Sequence, residues 1–379
     1  MSAPAGERVS LRRAARRAAW ILVCAGLPLL ALYFAVAPVA LGDRDAVDFH
    51  YNYYLAAEAI LEGEDFYPTD GFVVRGPDDL ISDYVYPPLI ALATIPWTVL
   101  PVTLASVLFQ GALVAVLVST LVLLGVRDWR CYGLAFLWPP ATDAITTGNV
   151  SLVLGLAAAV VWRFRDRPLV TGSALGLGLA AKALLWPLTV WFVATRRLRA
   201  AVASFVVALV VLAATWAIVG FRGLLDYPGL VRRVSDRMDE HGYTLYALGV
   251  DVGVSPDVAR AGWIAVAAAL LGAMVVLGRR GDDRRAFVLA IAAAIAFSPI
   301  VWLHYLSLLL VVVAVVQPTF GWIWGLGVPL QLVVTTGVYN GSTTQTVAVL
   351  GVSAFVVGWS LRRREPRFVT VRPAAAARS

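Results

Sequence analysis

Apolar runs recur along the chain from Trp20 to Leu361, separated by short polar segments that often carry arginines. Many approach the roughly 20 residues an α-helix needs to cross the hydrocarbon core of a bilayer. Backbone exposed to lipid must satisfy its own hydrogen bonds, so these runs are expected to be helices. The alternation of apolar and polar positions that marks a membrane β-barrel is absent. Trp20 to Leu41 is too long for a signal-peptide core and has no clear small-x-small cleavage site before a soluble domain, which makes it a retained first span.

The polar segments orient the runs. Arg8, Arg12, Arg13, Arg16 and Arg17 precede the first span and are expected on the cytoplasmic side. A long acidic loop, about 43–85, follows; its basic residues are Arg44 and Arg75. Within it Asp48 to Leu61 has helical character, with Gly63 as a stop, and its tyrosines and alanines suggest a helix at the membrane surface. Tyr86-Pro87-Pro88 opens an apolar run reaching Pro101, and a further span covers about 104–126. Pro139-Pro140 and Gly148-Asn149 break 131–162 into short pieces, and broken helices in a membrane usually line a protein cavity. Leu169 to Thr195 is a span or a bent pair, and a second long polar loop covers about 221–260. Arg196, Arg197 and Arg199, then Arg279, Arg280, Arg284 and Arg285, then Arg362 to Arg364 mark cytoplasmic turns. The result is an all-α polytopic protein of about twelve spans with both termini inside. Its expected parts are a cytoplasmic N-terminus at 1–17, one transmembrane domain at 18–361 and a disordered tail at 362–379. This count leaves Arg163, Arg165 and Arg167 on the outer side, against the positive-inside rule, unless a re-entrant segment between 86 and 195 moves them.

Composition agrees with the pattern. The 379 residues are 60% hydrophobic and 15% charged, where a soluble domain carries about 25% charged residues. The net charge of +7 does not indicate nucleic-acid binding, because the arginines sit in clusters between spans and report topology and contact with anionic headgroups. Cys24 and Cys131 give neither a disulfide framework nor zinc spacing.

Few residues can carry chemistry. His50, His241 and His304 are the three histidines, and all fall at the outer face in this topology. Packing or an interface explains a single histidine well, but His304 follows Ser298-Pro299 at a proline-broken helix start, a poor place for packing alone. Lys182 is the one lysine, and an ionisable group inside the apolar stretch Gly172 to Trp191 is a functional candidate, fit to meet a phosphate; snorkelling or internal pairing explains it equally well. Asp48 can cap the helix that follows it, or serve as a general base at the bilayer surface. Asp43-Arg44-Asp45 is a D-x-D pattern able to hold a divalent metal, though charged loops often produce one. No nucleotide-type glycine loop, zinc site or nucleophile elbow is present.

The order of these features is familiar. Asp48 to Ala57, Leu61-Glu62-Gly63, Tyr67-Pro68 and Tyr84-Val85-Tyr86-Pro87-Pro88-Leu89 are followed by Gly148-Asn149-Val150, Gly176 to Pro187 around Lys182, and Ser298 to Tyr305. Together they resemble glycosyltransferase family 87, membrane enzymes of the GT-C superfamily. The resemblance covers about 40–360 and implies a GT-C-type bundle. It also implies transfer, with inversion, of a mannosyl or related sugar from a polyprenyl phosphate to a hydroxyl of a lipid-linked or cell-envelope glycan, at the extracytoplasmic face of the cell membrane. By the same resemblance Asp48 and His304 are catalytic, and Lys182, Tyr86, Asn149, Arg237 and His241 bind substrate, with neither a resident metal nor a cofactor required. Two departures stand out. His241-Gly242-Tyr243-Thr244-Leu245 occupies the place of an Asn-x-x-Ser-like segment, and Asn149 stands where relatives often carry glutamine.

A transporter or flippase of lipid-linked sugars is the competing reading. Transporters commonly show internal repeats and midplane sites, whereas this chain has no evident repeat and gathers its candidates near one face.

Overall fold

The computed structural model describes residues 5–67, 84–238, 242–334 and 342–363. Among them every regular element is a helix. The chain begins with α1 (Ala5–Ile21), a π-helical turn and α2 (Leu27–Ala40), which run on as one apolar rod from Arg12 to Ala40. A π-helical turn at Asp48–Tyr54 leads into α3 (Leu55–Glu62), which Gly63 ends in the left-handed region at φ 75°, a conformation that carries little penalty for glycine. There follow α4 (Leu89–Thr94), α5 (Val102–Leu123), α6 (Trp129–Phe136), α7 (Pro139–Thr147), α8 (Ser151–Arg163), α9 (Pro168–Ala181), α10 (Trp186–Ala194) and α11 (Leu198–Ile218). The remainder is α12 (Tyr227–Met238), α13 (Leu245–Asp251), α14 (Pro256–Arg279), α15 (Asp283–Phe297), α16 (Leu308–Val316), α17 (Gly327–Val333) and α18 (Thr343–Arg362).

Among the described residues, five helices are long and apolar enough to cross a membrane: Arg12–Ala40, Val102–Leu123, Leu198–Ile218, Pro256–Arg279 and Thr343–Arg362. Their outward faces carry exposed Phe34, Leu108, Phe205, Ile264 and Phe355, as expected where lipid replaces water. Shorter apolar helices make up the middle of the bundle. Ala286 to Ile295 of α15 and Leu308 to Ala314 of α16 are buried without a break, so these two form its centre. The protein is thus a helical membrane protein.

The ion pairs fix which helix ends lie together. Arg165 pairs with Asp283 at 3.0 Å, and Arg197 with the same Asp283 at 2.8 Å and with Asp166 at 3.3 Å. The turns before α9, α11 and α15 therefore share one end of the molecule. This corrects the topology count above: Arg163, Arg165 and Arg167 stand with the other arginine clusters. The physical reason lies in 86–100. That stretch holds a six-residue helix and a 3-10 turn at Ile95–Trp97, roughly 14 Å of rise at best, too short to cross. Its two ends also lie by adjoining residues, for Tyr53 Oη donates to Tyr86 Oη at 3.3 Å and Tyr54 Oη donates to the Leu100 carbonyl at 2.8 Å.

The same pairs define α9 and α10 as a re-entrant hairpin. Asp166 before α9 and Arg197 after α10 meet at its base, and the chain turns at Lys182, whose backbone is extended (φ −161°, ψ 122°). Parallel packing on α11 holds α9 in place. A Cβ at Gly172 would lie 2.4 Å from Ala203 Cβ, and one at Gly176 would lie 2.7 Å from Val207 Cβ, so the two backbones approach as closely as glycine permits. Leu169 to Thr195 is therefore the bent pair, not the single span.

Candidate functional site

Asp48 is the first residue of its π-helical turn, directly after the N-cap Val47. Both carboxylate oxygens receive side-chain amides. Asn52 Nδ2 donates to Oδ1 at 3.2 Å from one turn along the same segment, and Asn149 Nδ2 donates to Oδ2 at 3.0 Å from 101 positions away. Asn149 reaches it because α7 stops at Gly148, whose φ is 73° and whose missing Cβ would lie 2.7 Å from Phe49 Cβ. No other residue fits that turn against the Asp48 segment without displacement. The wholly buried Asn149 also accepts from the Ser151 backbone N–H at 2.8 Å and from Ser151 Oγ at 2.7 Å, at the start of α8. It is thus both a satisfied helix-break amide and a direct partner of Asp48.

The cluster continues through Tyr86. Its hydroxyl accepts from Asn149 Nδ2 at 3.2 Å and from Tyr53 Oη at 3.3 Å, and Tyr53 in turn accepts from the Val150 N–H at 3.3 Å. Lys182, at the apex of the α9–α10 hairpin, lays its ammonium 4.8 Å from the Tyr86 ring centre and 3.7 Å from that of Tyr305. Two aromatic faces offset part of the desolvation of the ammonium, by about 0.5–2 kcal/mol each. Nζ is nonetheless buried with no hydrogen-bond partner among the described residues, and the carboxylate of Asp48 is near enough to act on its charge. Snorkelling is excluded, because the side chain points into the bundle.

His304 lies next to Tyr305 in the 3-10 turn Leu303–Ser307 and is 4% exposed. Its Nδ1 is 3.1 Å from Asp143 Oδ2, and its Nε2 is a second buried nitrogen without a hydrogen-bond partner among the described residues. Asp143 belongs to α7, the helix that also leads into Asn149. One short helix therefore supports both Asp48 and His304.

The structure brings Asp48, Asn149, Tyr86 and Lys182 together, with His304 joined to them through α7 and Tyr305. Arg237 belongs to α12, but its side chain, like the whole of His241, lies outside the described residues, as do 68–83 of the first loop and the tail from 364. Nearer the start of α12, Arg232 and Arg233 are exposed while Leu230 and Val234 are buried, so this face of the helix turns its arginines outward. His50 is held by Asp45, Nδ1 to Oδ1 at 3.0 Å, and Tyr51 Oη donates to Asp45 Oδ2 at 2.6 Å. Partial burial would raise the Asp45 carboxyl, but the bonds from Tyr51 and His50 outweigh it and hold the group below the usual aspartate range. Arg44 donates to the Phe34 and Ala35 carbonyls at 3.0 and 3.3 Å. Arg44 thus fastens the first loop to α2, while Asp45 is engaged by His50 and Tyr51 within the loop.

Sequence reasoning missed Asp143, Asn52, Tyr53 and Tyr305. Tyr305 had a signal in its neighbour His304, and Asn52 in its helical spacing from Asp48. Asp143 had none, its partner lying 161 residues further on.

The family model described as Glycosyltransferase family 87 matches residues 84–301, more than half of the chain and inclusive of Tyr86, Asn149 and Lys182. Among curated proteins, the chain is 26% identical over 308 residues to the polyprenol-phosphate-mannose-dependent alpha-(1-2)-phosphatidylinositol mannoside mannosyltransferase of Mycobacterium tuberculosis. That alignment covers 71% of this chain and 70% of the relative. No solved structure matches it.

Proposed function

The chain belongs to glycosyltransferase family 87, and from that premise we propose that it moves a mannosyl or related hexosyl residue from a polyprenyl phosphate to a glycan hydroxyl, with inversion. The acceptor is a lipid-linked or cell-envelope glycan, and the site opens on the extracytoplasmic side of the cell membrane. The observation that carries this reading is the placement of Asp48, a carboxylate oriented by two amides, within electrostatic reach of Lys182, a buried ammonium with no hydrogen-bond partner among the described residues. A direct displacement at an anomeric carbon needs a base for the acceptor and charge relief for the leaving phosphate.

In this mechanism the acceptor oxygen attacks the anomeric carbon and its proton passes to Asp48. The bond from that carbon to the phosphate oxygen breaks, and polyprenyl phosphate leaves with the electron pair. Lys182 faces the phosphate, and His304 Nε2 meets donor phosphate or sugar. Asn149 and Tyr86 hold the base and the lysine in register. Arg237 and His241 remain as proposed contacts for the substrates. One displacement suffices, so no second catalytic carboxylate is needed.

The gathering of Arg165, Arg197 and Asp283 at one end supports placing that end on the cytoplasmic side and the Asp48 end outside, and a GT-C-type bundle is the architecture proposed for the whole. A transporter of lipid-linked sugars is not favoured, since the family is one of transferases. The test is Asp48→Asn in membranes given labelled polyprenyl-phosphate mannose. Transfer is expected to fall by about 100-fold or more, and full activity in that variant would overturn the assignment of the base.

A further inference from the structure

We propose that Asp143 is a positioning residue for His304: it fixes the imidazole through Nδ1 and so aims Nε2 at the donor phosphate. The inference rests on the transferase reading above.

Three observations carry it. The first is the contact, Nδ1 to Asp143 Oδ2 at 3.1 Å on a ring that is 4% exposed. An ionised carboxylate only accepts, so the proton of a neutral ring belongs on Nδ1 and Nε2 is left with a free lone pair. The second is that Nε2 has no hydrogen-bond partner among the described residues although it is buried. A polar atom in that condition is unfavourable for folding alone and is accounted for when a ligand meets it. The third is the rigidity of the support. Pro139 and Pro140 open α7, Gln331 Nε2 donates to Thr142 Oγ1 at 3.1 Å, and Gln110 Nε2 donates to the Thr146 carbonyl at 3.2 Å. Trp138 Nε1, just before the helix, donates to the Trp324 carbonyl at 2.9 Å. Contacts with α5 and with the 322–333 segment thus hold α7 from two sides.

The consequence is a division of labour along one short helix. Asp143, in the middle of α7, orients the group proposed to meet the donor, and Asn149, just past its end, orients the group proposed to meet the acceptor. Protonated at Nε2, the ring donates a charge-assisted bond to a phosphate oxygen; neutral, it offers that oxygen only a lone pair. The groups facing this pair are Asp143 itself, Tyr243 on the segment before α13, whose N–H bonds the Val301 carbonyl at 2.8 Å, and the adjoining Tyr305. Tyr243 is close enough for Asp143 to act on its hydroxyl.

The experiment joins kinetics to the state of the ring. With three histidines in the chain, 15N-histidine labelling gives three ring systems, and His304→Gln assigns the one at issue. In the wild type His304 should show Nδ1 protonated and hydrogen-bonded. Asp143→Ala should lose that signature, and Asp143→Asn, whose amide can donate to Nδ1, should move the ring proton to Nε2. Both variants remove the carboxylate that stabilises the charged ring, so the charge-assisted bond from Nε2 is lost, and Asp143→Asn keeps at most a weaker neutral donor there. In both, kcat should fall by about 10- to 100-fold, and Asp143→Glu should recover part of the loss. Thermal unfolding in detergent separates misfolding from misorientation, and the isosteric Asp143→Asn is the variant relied on. Transfer within about twofold of wild type in Asp143→Asn, or a His304 signature unchanged in it, overturns the proposal. If the wild type transfers no hexose, the transferase reading fails instead, and the ring signature alone decides whether Asp143 positions His304.

Discussion

Asn149→Asp separates the two duties of one buried side chain. The substitution preserves shape and leaves Oδ1 free to accept from Ser151, at 2.8 and 2.7 Å. What it changes is the atom 3.0 Å from Asp48 Oδ2, which turns from an N–H donor into a second carboxylate oxygen. Two charges at that separation repel by roughly 5 kcal/mol at an effective dielectric of about 20. The pair therefore keeps a shared proton at neutral pH, and a carboxylate that already shares a proton is a poor acceptor for the one leaving the substrate hydroxyl. Transfer from labelled polyprenyl-phosphate mannose should fall by about 100-fold at neutral pH. It should recover in part as pH rises, because removing the shared proton restores a free carboxylate. Asn149→Ala is the control. It also loses the bond to Asp48, but it orphans the Ser151 N–H and hydroxyl, at about 1–3 kcal/mol for each buried group left unpaired, so it should unfold earlier and show no recovery at high pH. Neutral-pH activity of Asn149→Asp within about twofold of wild type would show that Asp48 is not the working carboxylate.

Lys182→Met keeps the length and apolar stem of the lysine and removes the charge over Tyr86 and Tyr305; kcat/KM for the donor should fall about 10- to 100-fold while the fold is at least as stable, since a buried charge has gone, and unchanged donor kinetics would remove the lysine from the site. Gly176→Leu forces a side chain into the 2.7 Å approach to Val207 and should destabilise by about 1–3 kcal/mol, read as a lower unfolding temperature in detergent; an unaltered transition would mean that α9 and α11 do not pack as described. With Cys24 and Cys131 both buried, cysteines at Glu64, Arg167 and Arg199 report sidedness: an impermeant thiol reagent applied to intact cells should label position 64 and spare the other two, and labelling at 167 alone would restore the topology in which those arginines face outward.

Membrane character, the helix stop at Gly63 and the oddity of Lys182 were readable in the sequence, because each has few physical explanations. A single lysine in a glycine-rich apolar stretch must be paired, exposed or used. The partition of the apolar runs was harder. Leu89 to Leu100 and Leu169 to Thr195 have the hydropathy of spans, and what folds them back is local: Pro96 and Pro101 in the first, the extended residue at Lys182 in the second. The misplaced arginines at 163–167 were the visible trace of that error, and the ion pairs from Arg165 and Arg197 to Asp283 resolve it. The links from Asp48 to Asn149 and from His304 to Asp143 were beyond reach, since 101 and 161 residues separate the partners and neither amide nor carboxylate is unusual in its own segment.

The breaks in the helices are what assemble the candidate site. α7 ends at Gly148 and the α9–α10 hairpin turns at Lys182, both short of a full crossing, and the turn at 303–307 opens α16 beside them. Continuous spans would put Asn149, Lys182 and His304 along helix walls, facing lipid or packed against neighbours. Interrupted ones bring their polar ends to a single depth, where protein rather than lipid surrounds the freed backbone. The long helices at the periphery then have a different task, holding that depth constant under an Asp48 segment that is itself tied down by Tyr54 to Leu100 and by Arg44 to the end of α2. Polar ends gathered in this way suit the proposed reaction, in which a lipid-borne donor and a glycan acceptor have to be brought to one carboxylate and one ammonium.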